Sequence, residues 1–184
     1  MFTYSYEIIK LKLQSAVVDL REVEWYTGQD NLTDKNASIK AAPAIYIEFL
    51  PALTENLNAG QIQKTIAQFD LILVTETLLD GDKRIKKDTA KDHMLLLDKC
   101  FKALQGYGAK ISVLPAFAAL LNTDQDQRAF NSLTRISITP PHQPRKAIMR
   151  SVQRFQGTFY DHAAAKVYTT PSPAPPLQVT TDMV

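Results

Sequence analysis

The chain has 184 residues, 45% of them hydrophobic, with 21 basic and 19 acidic side chains and a formal net charge of +2. That length suits one compact domain burying roughly 70% of the surface its unfolded chain exposes, and the near-neutral balance gives no global field drawing it onto nucleic acid. One cysteine excludes an internal disulfide, and three dispersed histidines with six glycines leave most catalytic and cofactor-binding templates unfilled, so a structural or binding role with no enzyme activity and no cofactor is expected.

Tyr4 to Leu20 places Tyr6, Ile9, Leu13, Ala16, Val17 and Leu20 at three- and four-residue spacing, interrupted by Lys10, Lys12 and Asp19, and predicts an amphipathic helix. The lysines and the glutamate in this N-terminal stretch make it a poor secretory signal, and no segment reaches the roughly 20 apolar residues of a membrane span. A soluble protein, or part of a soluble assembly with no membrane partner, is expected. Val23 to Tyr26 reads as a strand ended by Gly28, and Gln29 to Ala42 as a long polar loop of the kind that is commonly functional or mobile.

Ala44 to Leu50 is strand-like in its β-branched and aromatic content and is bounded by Pro43 and Pro51. A short polar connection follows. Gln61 to Thr77 then predicts a long strand in two registers: alternation through Ile62, Lys64, Ile66 and Gln68, then the almost wholly apolar run Phe69 to Val74. The first half is expected to be half exposed and the second buried on both faces.

Asp80 to Lys91 reads as a charged connection, with Thr89 and Asp92 resembling a capping box for a helix through Met94, Leu97, Phe101 and Leu104, capped by Gly106. Cys100 lies in that apolar run and reads as a buried, inert thiol. Ile111 to Leu114 suggests a short strand, Phe117 to Leu121 a helical turn, and Asn122 to Arg128 a loop. Leu133 to Thr139 alternates as a strand that Pro140-Pro141 should halt. Ala147 to Asp161 is a long strand with Met149, Phe155 and Phe159 on one parity and Arg150, Val152, Arg154 and Tyr160 on the other. Thr169 to Val184, with Pro171, Pro173, Pro175 and Pro176, favours polyproline II and cannot form a core alone; it reads as a disordered arm unless neighbouring subunits hold it. The expected architecture is an α/β (α+β) domain over residues 1–168, with a mixed, mainly antiparallel sheet packed by two helices, followed by a Pro-rich arm over residues 169–184.

Candidate chemistry is sparse. Asp92-His93 and Asp161-His162 are the only acid–histidine neighbours, and adjacent side chains diverge by about 100° on a helix and by half a turn on a strand. His142 sits among prolines with no sequence-near ligand. Asp80-Gly81-Asp82 lacks the remaining calcium-loop ligands, and Gly106-Tyr107-Gly108 reads as a turn. Asn36-Ala37-Ser38 matches a glycosylation triplet that arises often by chance.

The opening helix, the run Ala42-Pro43-Ala44-Ile45-Tyr46-Ile47-Glu48-Phe49, the long strand Gln61 to Thr77, the helix Lys91 to Gln105 and the closing strand Arg150 to Phe159 together resemble the tail terminator and tail completion proteins of long-tailed bacteriophages. The resemblance covers roughly residues 5–165 and rests on pattern. It implies a virion protein of the tail or neck, assembled in the host cytoplasm, that forms a ring, usually of six, on the tail tube protein. Such a ring stops tube growth and faces the head–tail connector while genomic DNA passes through its lumen. The two long strands would then either offer edges to neighbouring subunits or pair with each other inside one monomer. Trp25 and Tyr26, with the four arm prolines, are candidate subunit contacts, Trp25 being equally a core plug. Lys83, Arg84, Lys86 and Lys87, and a second set including Arg150 and Arg154, are candidate channel-lining cations, although Asp80, Asp82 and Asp88 dilute the first cluster and favour a solvated loop. The alternatives are another neck connector or a small nucleic-acid-binding protein.

Overall fold

The computed structural model describes residues 2–28, 42–57, 62–76, 87–116, 127–145 and 148–162. In chain order these form α1 (Phe2–Ala16), β1 (Glu22–Trp25), β2 (Ala44–Phe49), β3 (Thr54–Leu57), β4 (Ile62–Glu76), α2 (Lys87–Leu104), β5 (Ala109–Lys110), a 3-10 turn (Ile111–Val113), β6 (Arg128–Phe130), β7 (Thr134–Arg145) and β8 (Ile148–Asp161). The strands make one curled sheet along the path β1-β2-β4-β8-β6-β5, with β3 beside β4 and β7 beside β8. Among the described residues only β1 and β2 run parallel, and the other pairings are antiparallel. The fold class is therefore α+β, a mixed and mainly antiparallel sheet packed by two helices.

The centre of the sheet is the pairing of β4 with β8, continuous from Gln63↔Asp161 to Glu76↔Ile148. At about 3.3 Å per residue, β4 spans roughly 50 Å, longer than any one neighbour. Its other edge is shared by β2 at Phe69–Val74 and β3 at Ile62–Thr65. β8 likewise is flanked by β7 and, at Phe159, by β6. The long strands thus pair with each other inside the monomer, the second of the two arrangements the sequence left open. The ends of the sheet path are β1 and β5.

Alternation decides which face carries the core. On β8, Met149, Ser151, Gln153, Phe155, Gly157 and Phe159 are buried while the residues between them are half exposed, as the parity of its sequence requires. Phe155 and Phe159 join Ile45, Ile47, Phe69, Leu71 and Leu73 in the core under the helices. α1 contributes the stripe Tyr4, Ile8, Ile9 and Leu13, with Val17 following it. α2 contributes Leu96, Leu97, Cys100 and Leu104. The opposite residues of the apolar half of β4, Ile72 and Val74, join Ala44 and Tyr46 in a smaller buried cluster on the helix-free face, with Tyr26, Ile148 and Val152 against it. The two registers of β4 are visible directly, mixed burial from Ile62 to Gln68 giving way to continuous burial from Phe69 to Thr75. Cys100 is buried and free, and burial pushes its thiol up to about 12.

Several boundaries differ from expectation for physical reasons. α1 stops at Ala16, and Val17 to Leu20 form a turn closed by Leu20 N–H donating to Val17 O at 3.1 Å. α2 starts at Lys87, so Thr89 lies inside the helix and the Thr89–Asp92 capping box does not form its start. Gly106 does end it, at φ 77°, a conformation that L side chains strongly disfavour. The polar connection after Pro51 contains β3, recruited by the bare edge of the longer β4. Ile111 to Val113 is a 3-10 turn, and the strand there is the two preceding residues. Arg128, read as the end of a loop, opens β6. β7 continues through Pro140-Pro141 because it pairs with β8 on one side only, with register shifts between Thr139 and His142 that absorb the missing N–H groups. The long loop up to Ala41, the turn Phe117 to Leu121, and the Pro-rich arm lie outside the described residues.

Candidate functional site

Among the described residues, polar or exposed aromatic side chains come together at a buried histidine under α2, along a charged row on the helix-free face, and at each of the two ends of the sheet. The first has the outline of a catalytic arrangement. His93 projects from α2 into the sheet, with Nδ1 2.8 Å from Thr75 Oγ1 on β4 and Nε2 2.8 Å from Ser151 Oγ on β8. In the neutral ring one nitrogen donates and the other accepts, and both hydroxyls can take either role. Burial holds the imidazolium form off, lowering the His93 pKa to about 4.

A Ser–His pair at this distance invites a hydrolase reading, and two features oppose it. The group behind the ring is a hydroxyl, whereas a serine hydrolase needs a carboxylate there to stabilise the imidazolium. Ser151 is also fully buried, as is His93, so no acyl group reaches the Oγ. The neighbouring Gln153 is likewise structural, its Nε2 donating to the carbonyl of Leu97 at 2.7 Å. This cluster fastens α2 to the two central strands. A cleft of about 290 Å³ beside it is lined by Arg21, Pro43, Glu76, Thr89, Asp92 and His93. Among the described residues no group of three metal-ligating side chains converges.

The second place answers the question of the cations. Arg154 donates from Nε to Asp70 Oδ1 at 2.7 Å and from its Nη2 to Oδ2 at 2.8 Å. Asp70 side-chain exposure is 11% and that of Arg154 is 39%, so this two-pronged pair is half withdrawn from water. Glu48 stands opposite Asp70 on β2, giving a row Glu48, Asp70, Arg154 across three strands. Asp70 and Glu48 both favour the charged guanidinium, Asp70 foremost, and raise its pKa. Arg154 is thus paired within its own sheet while keeping part of its side chain at the surface. Arg150 shares its face of β8, opposite Val74 on β4. Lys87 is the first residue of α2, while Lys83, Arg84 and Lys86 lie outside the described residues, as do Pro171, Pro173, Pro175 and Pro176.

Replacing Arg154 with alanine is expected to cost about 2 kcal/mol, below the usual loss for a fully buried pair because the guanidinium is partly exposed. The double variant Asp70→Leu with Arg154→Leu should recover most of that loss. Urea titration of the three proteins checks this, and an Arg154→Ala loss under about 0.5 kcal/mol would mean the pair is solvated.

The third place is the ends of the sheet. At one end Trp25 is 40% exposed, stacked on Phe49 at 5.6 Å and edge-on to Tyr6 at 5.2 Å. It is thus partly a core plug and partly surface. Tyr26 packs against the smaller cluster. Glu24 accepts from Lys10 Nζ at 2.9 Å and from the Tyr6 hydroxyl at 3.3 Å, fixing β1 to α1. At the other end Lys110 on β5 stands opposite Arg128 on β6, both exposed, over a cleft of about 480 Å³. Arg128 Nη1 donates to Asn131 Oδ1 at 2.8 Å, and Asn131 Nδ2 to the Tyr160 hydroxyl at 3.2 Å.

Reading the sequence missed both polar clusters. For the ion pair a signal existed: Asp70 interrupts the apolar run from Phe69 to Val74, and a carboxylate in a central strand requires a partner. For His93, whose partners lie 18 and 58 residues away, no local spacing could have shown it.

The geometry defines an α+β protein with a mixed sheet, helices on one face and chemically unlike sheet ends. No family model matches this chain, and no curated protein matches it.

Proposed function

We propose that this chain is a structural subunit of a phage tail or tail-like particle, a ring-forming protein of the tail-terminator type that ends the tube and meets the head connector. The observation that carries the reading is the sheet itself. Its two long strands are consumed by each other, and among the described residues its path ends in β1 on one side and β5 on the other. In this reading the two unlike ends join copies head to tail, and the series closes into a ring where the rotation between copies divides a full turn with no rise along the axis. The opening helix, β2, the long β4, α2 and the closing β8 follow one another in the order that the resemblance to tail terminators rests on. The buried His93 cluster and the Asp70–Arg154 pair act within the fold, in keeping with a protein that works through its surface.

In this reading the partners are further copies of the chain, the tube protein and a neck connector, and DNA passes without specific contact. The test is electron microscopy of the purified chain alone and after addition to growing tail tubes. A closed ring seated on the tube tip, with tube length fixed from the moment of addition, is the expected result. Tubes that elongate unaffected would refute the terminator reading. Tight, salt-sensitive binding to duplex DNA in its place would favour a nucleic-acid-binding protein.

A further inference from the structure

We infer that copies of this chain join by strand exchange, residues 177–184 of one adding to the free edge of β7 in the next at Ile136–Thr139. The inference deepens the ring reading by naming a subunit contact, and it rests on that reading only for the ring's location on a tail.

Among the described residues β7 pairs with β8 alone, which leaves its other edge open. The open length is short and bounded. Before it, the Arg135 amide donates to Gln105 Oε1 at 3.0 Å, so α2 closes the edge there. After it, Pro140 and Pro141 have no N–H to offer. Between these limits Ile136, Ser137, Ile138 and Thr139 are all exposed, Ile136 at 46% and Ile138 at 44%. This stretch carries neither the charge nor the proline that protects an edge left bare. Ile138 stands opposite Gln153, whose amide bonds the Leu97 carbonyl on α2, so it lies on the helix side of the sheet. An added strand would set an apolar side chain beside it.

The chain carries a segment of matching pattern. Residues 177–184 alternate Leu177, Val179 and Met183 against Gln178, Thr180 and Asp182, the repeat of two that a half-buried strand requires. Residues 163–176 separate it from the fold and include Pro171, Pro173, Pro175 and Pro176, a stiff spacer that reaches at most about 45 Å. A domain of this size is roughly 40 Å across, so the spacer spans the distance to an adjoining copy. Its own β7 is a poorer target. β8 runs antiparallel to β7, so a segment turning straight back from β8 would lie parallel to β7, the weaker pairing, after reversing direction through the proline run. Arm and edge are different surfaces, so the contact is heterologous: each copy gives an arm to one neighbour and takes one from another.

The experiment uses the full chain in three forms: wild type, an edge variant Ile136→Asp with Ile138→Asp, and an arm variant Val179→Pro with Thr181→Pro. Association is followed by sedimentation velocity at about 100 µM, with circular dichroism to establish that each form is folded. Wild type is expected to associate, and each variant alone to do so at least roughly tenfold more weakly, one for want of an acceptor edge and the other for want of N–H groups to pair. Mixed in equal amounts, the variants should pair one to one and grow no further, since the arm variant keeps a sound edge and the edge variant a sound arm. Pairing on mixing also shows that neither variant was lost to misfolding. Wild type that stays monomeric, variants that associate as it does, or a mixture that stays apart would each overturn the inference. Slowed amide exchange at Ile136–Thr139 in wild type diluted until it is monomeric would overturn it too, because the arm would then lie on its own subunit. Pairing on mixing together with failure to stop tube growth would uphold this contact and refute the terminator reading alone.

Discussion

Phe159→Ala is expected to lower the free energy of unfolding by about 4 kcal/mol, the middle of the range for removing a buried ring. Phe159 is fully buried near the end of β8, in register with Thr65 on β4 and Phe130 on β6. Its ring lies 5.9 Å from Phe2, 5.7 Å from Phe49, 6.4 Å from Phe69 and 5.5 Å from Phe130, centroid to centroid. Those neighbours come from α1, β2, β4 and β6, so one truncation removes contacts from four elements at once. None can collapse into the void alone, because each is fixed by its own strand or helix, and the cavity term adds to the lost transfer energy. Ile66→Ala on the same sheet is the control: 60% exposed, it should change stability by no more than about 0.5 kcal/mol. Urea titration with coincident fluorescence and circular dichroism gives both values. A Phe159→Ala loss below about 1.5 kcal/mol would show that the aromatic cluster is loosely packed.

The second large effect is an acid destabilisation traceable to His93. Its pKa is lowered by burial from 6.5 to about 4 in the folded chain. In the unfolded chain the ring takes a proton once pH falls below about 6.5, while in the fold it stays neutral until about 4. The unfolded state therefore binds more protons within that window, and stability is lost as pH falls through it. The contribution is fully present above pH 6.5 and amounts to about 3 kcal/mol. Thr75 and Ser151 do not cancel it, since their hydroxyls can reorient toward either ring form but cannot supply the lost hydration. His93→Gln is expected to begin less stable at neutral pH and to lose the part of the slope between pH 6.5 and 4 that His93 contributes. Denaturation midpoints at half-unit pH steps compare the two proteins. Parallel curves would place the titrating group elsewhere.

Where the chain was readable, a repeat of two or of 3.6 was uninterrupted and one face was buried. β8 shows this best: Met149, Phe155 and Phe159 on one parity, with Arg150, Val152, Arg154 and Tyr160 on the other, define its buried face before any partner is known. The change of register within β4 and the stripe of α1 follow the same logic. β3 escaped because Thr54, Glu55 and Asn56 are exposed; it is a strand only because β4 outruns β2 and leaves an edge to fill. β7 was cut short at Pro140 because a proline halts a central strand, and nothing local marks β7 as lacking a second neighbour. The candidate site was readable only in part. Trp25 stands out by its residue type, whereas the Lys110–Arg128 opposition depends on a pairing of two very short strands.

The register of β4 against β8 also sets a timetable. Asp70 and Arg154 are 84 residues apart in the chain, so a ribosome adding about 5–20 residues per second finishes Arg154 roughly 4 to 17 seconds after Asp70. Over that interval the most apolar strand of the protein has been made and its longest partner has not. β2, already synthesised, can cover one edge of Phe69–Val74, but the other carries a row of unpaired amides and carbonyls that any extended chain nearby can occupy. The newborn protein is thus open at that edge to pairing with its own siblings on a polysome until β8 is made.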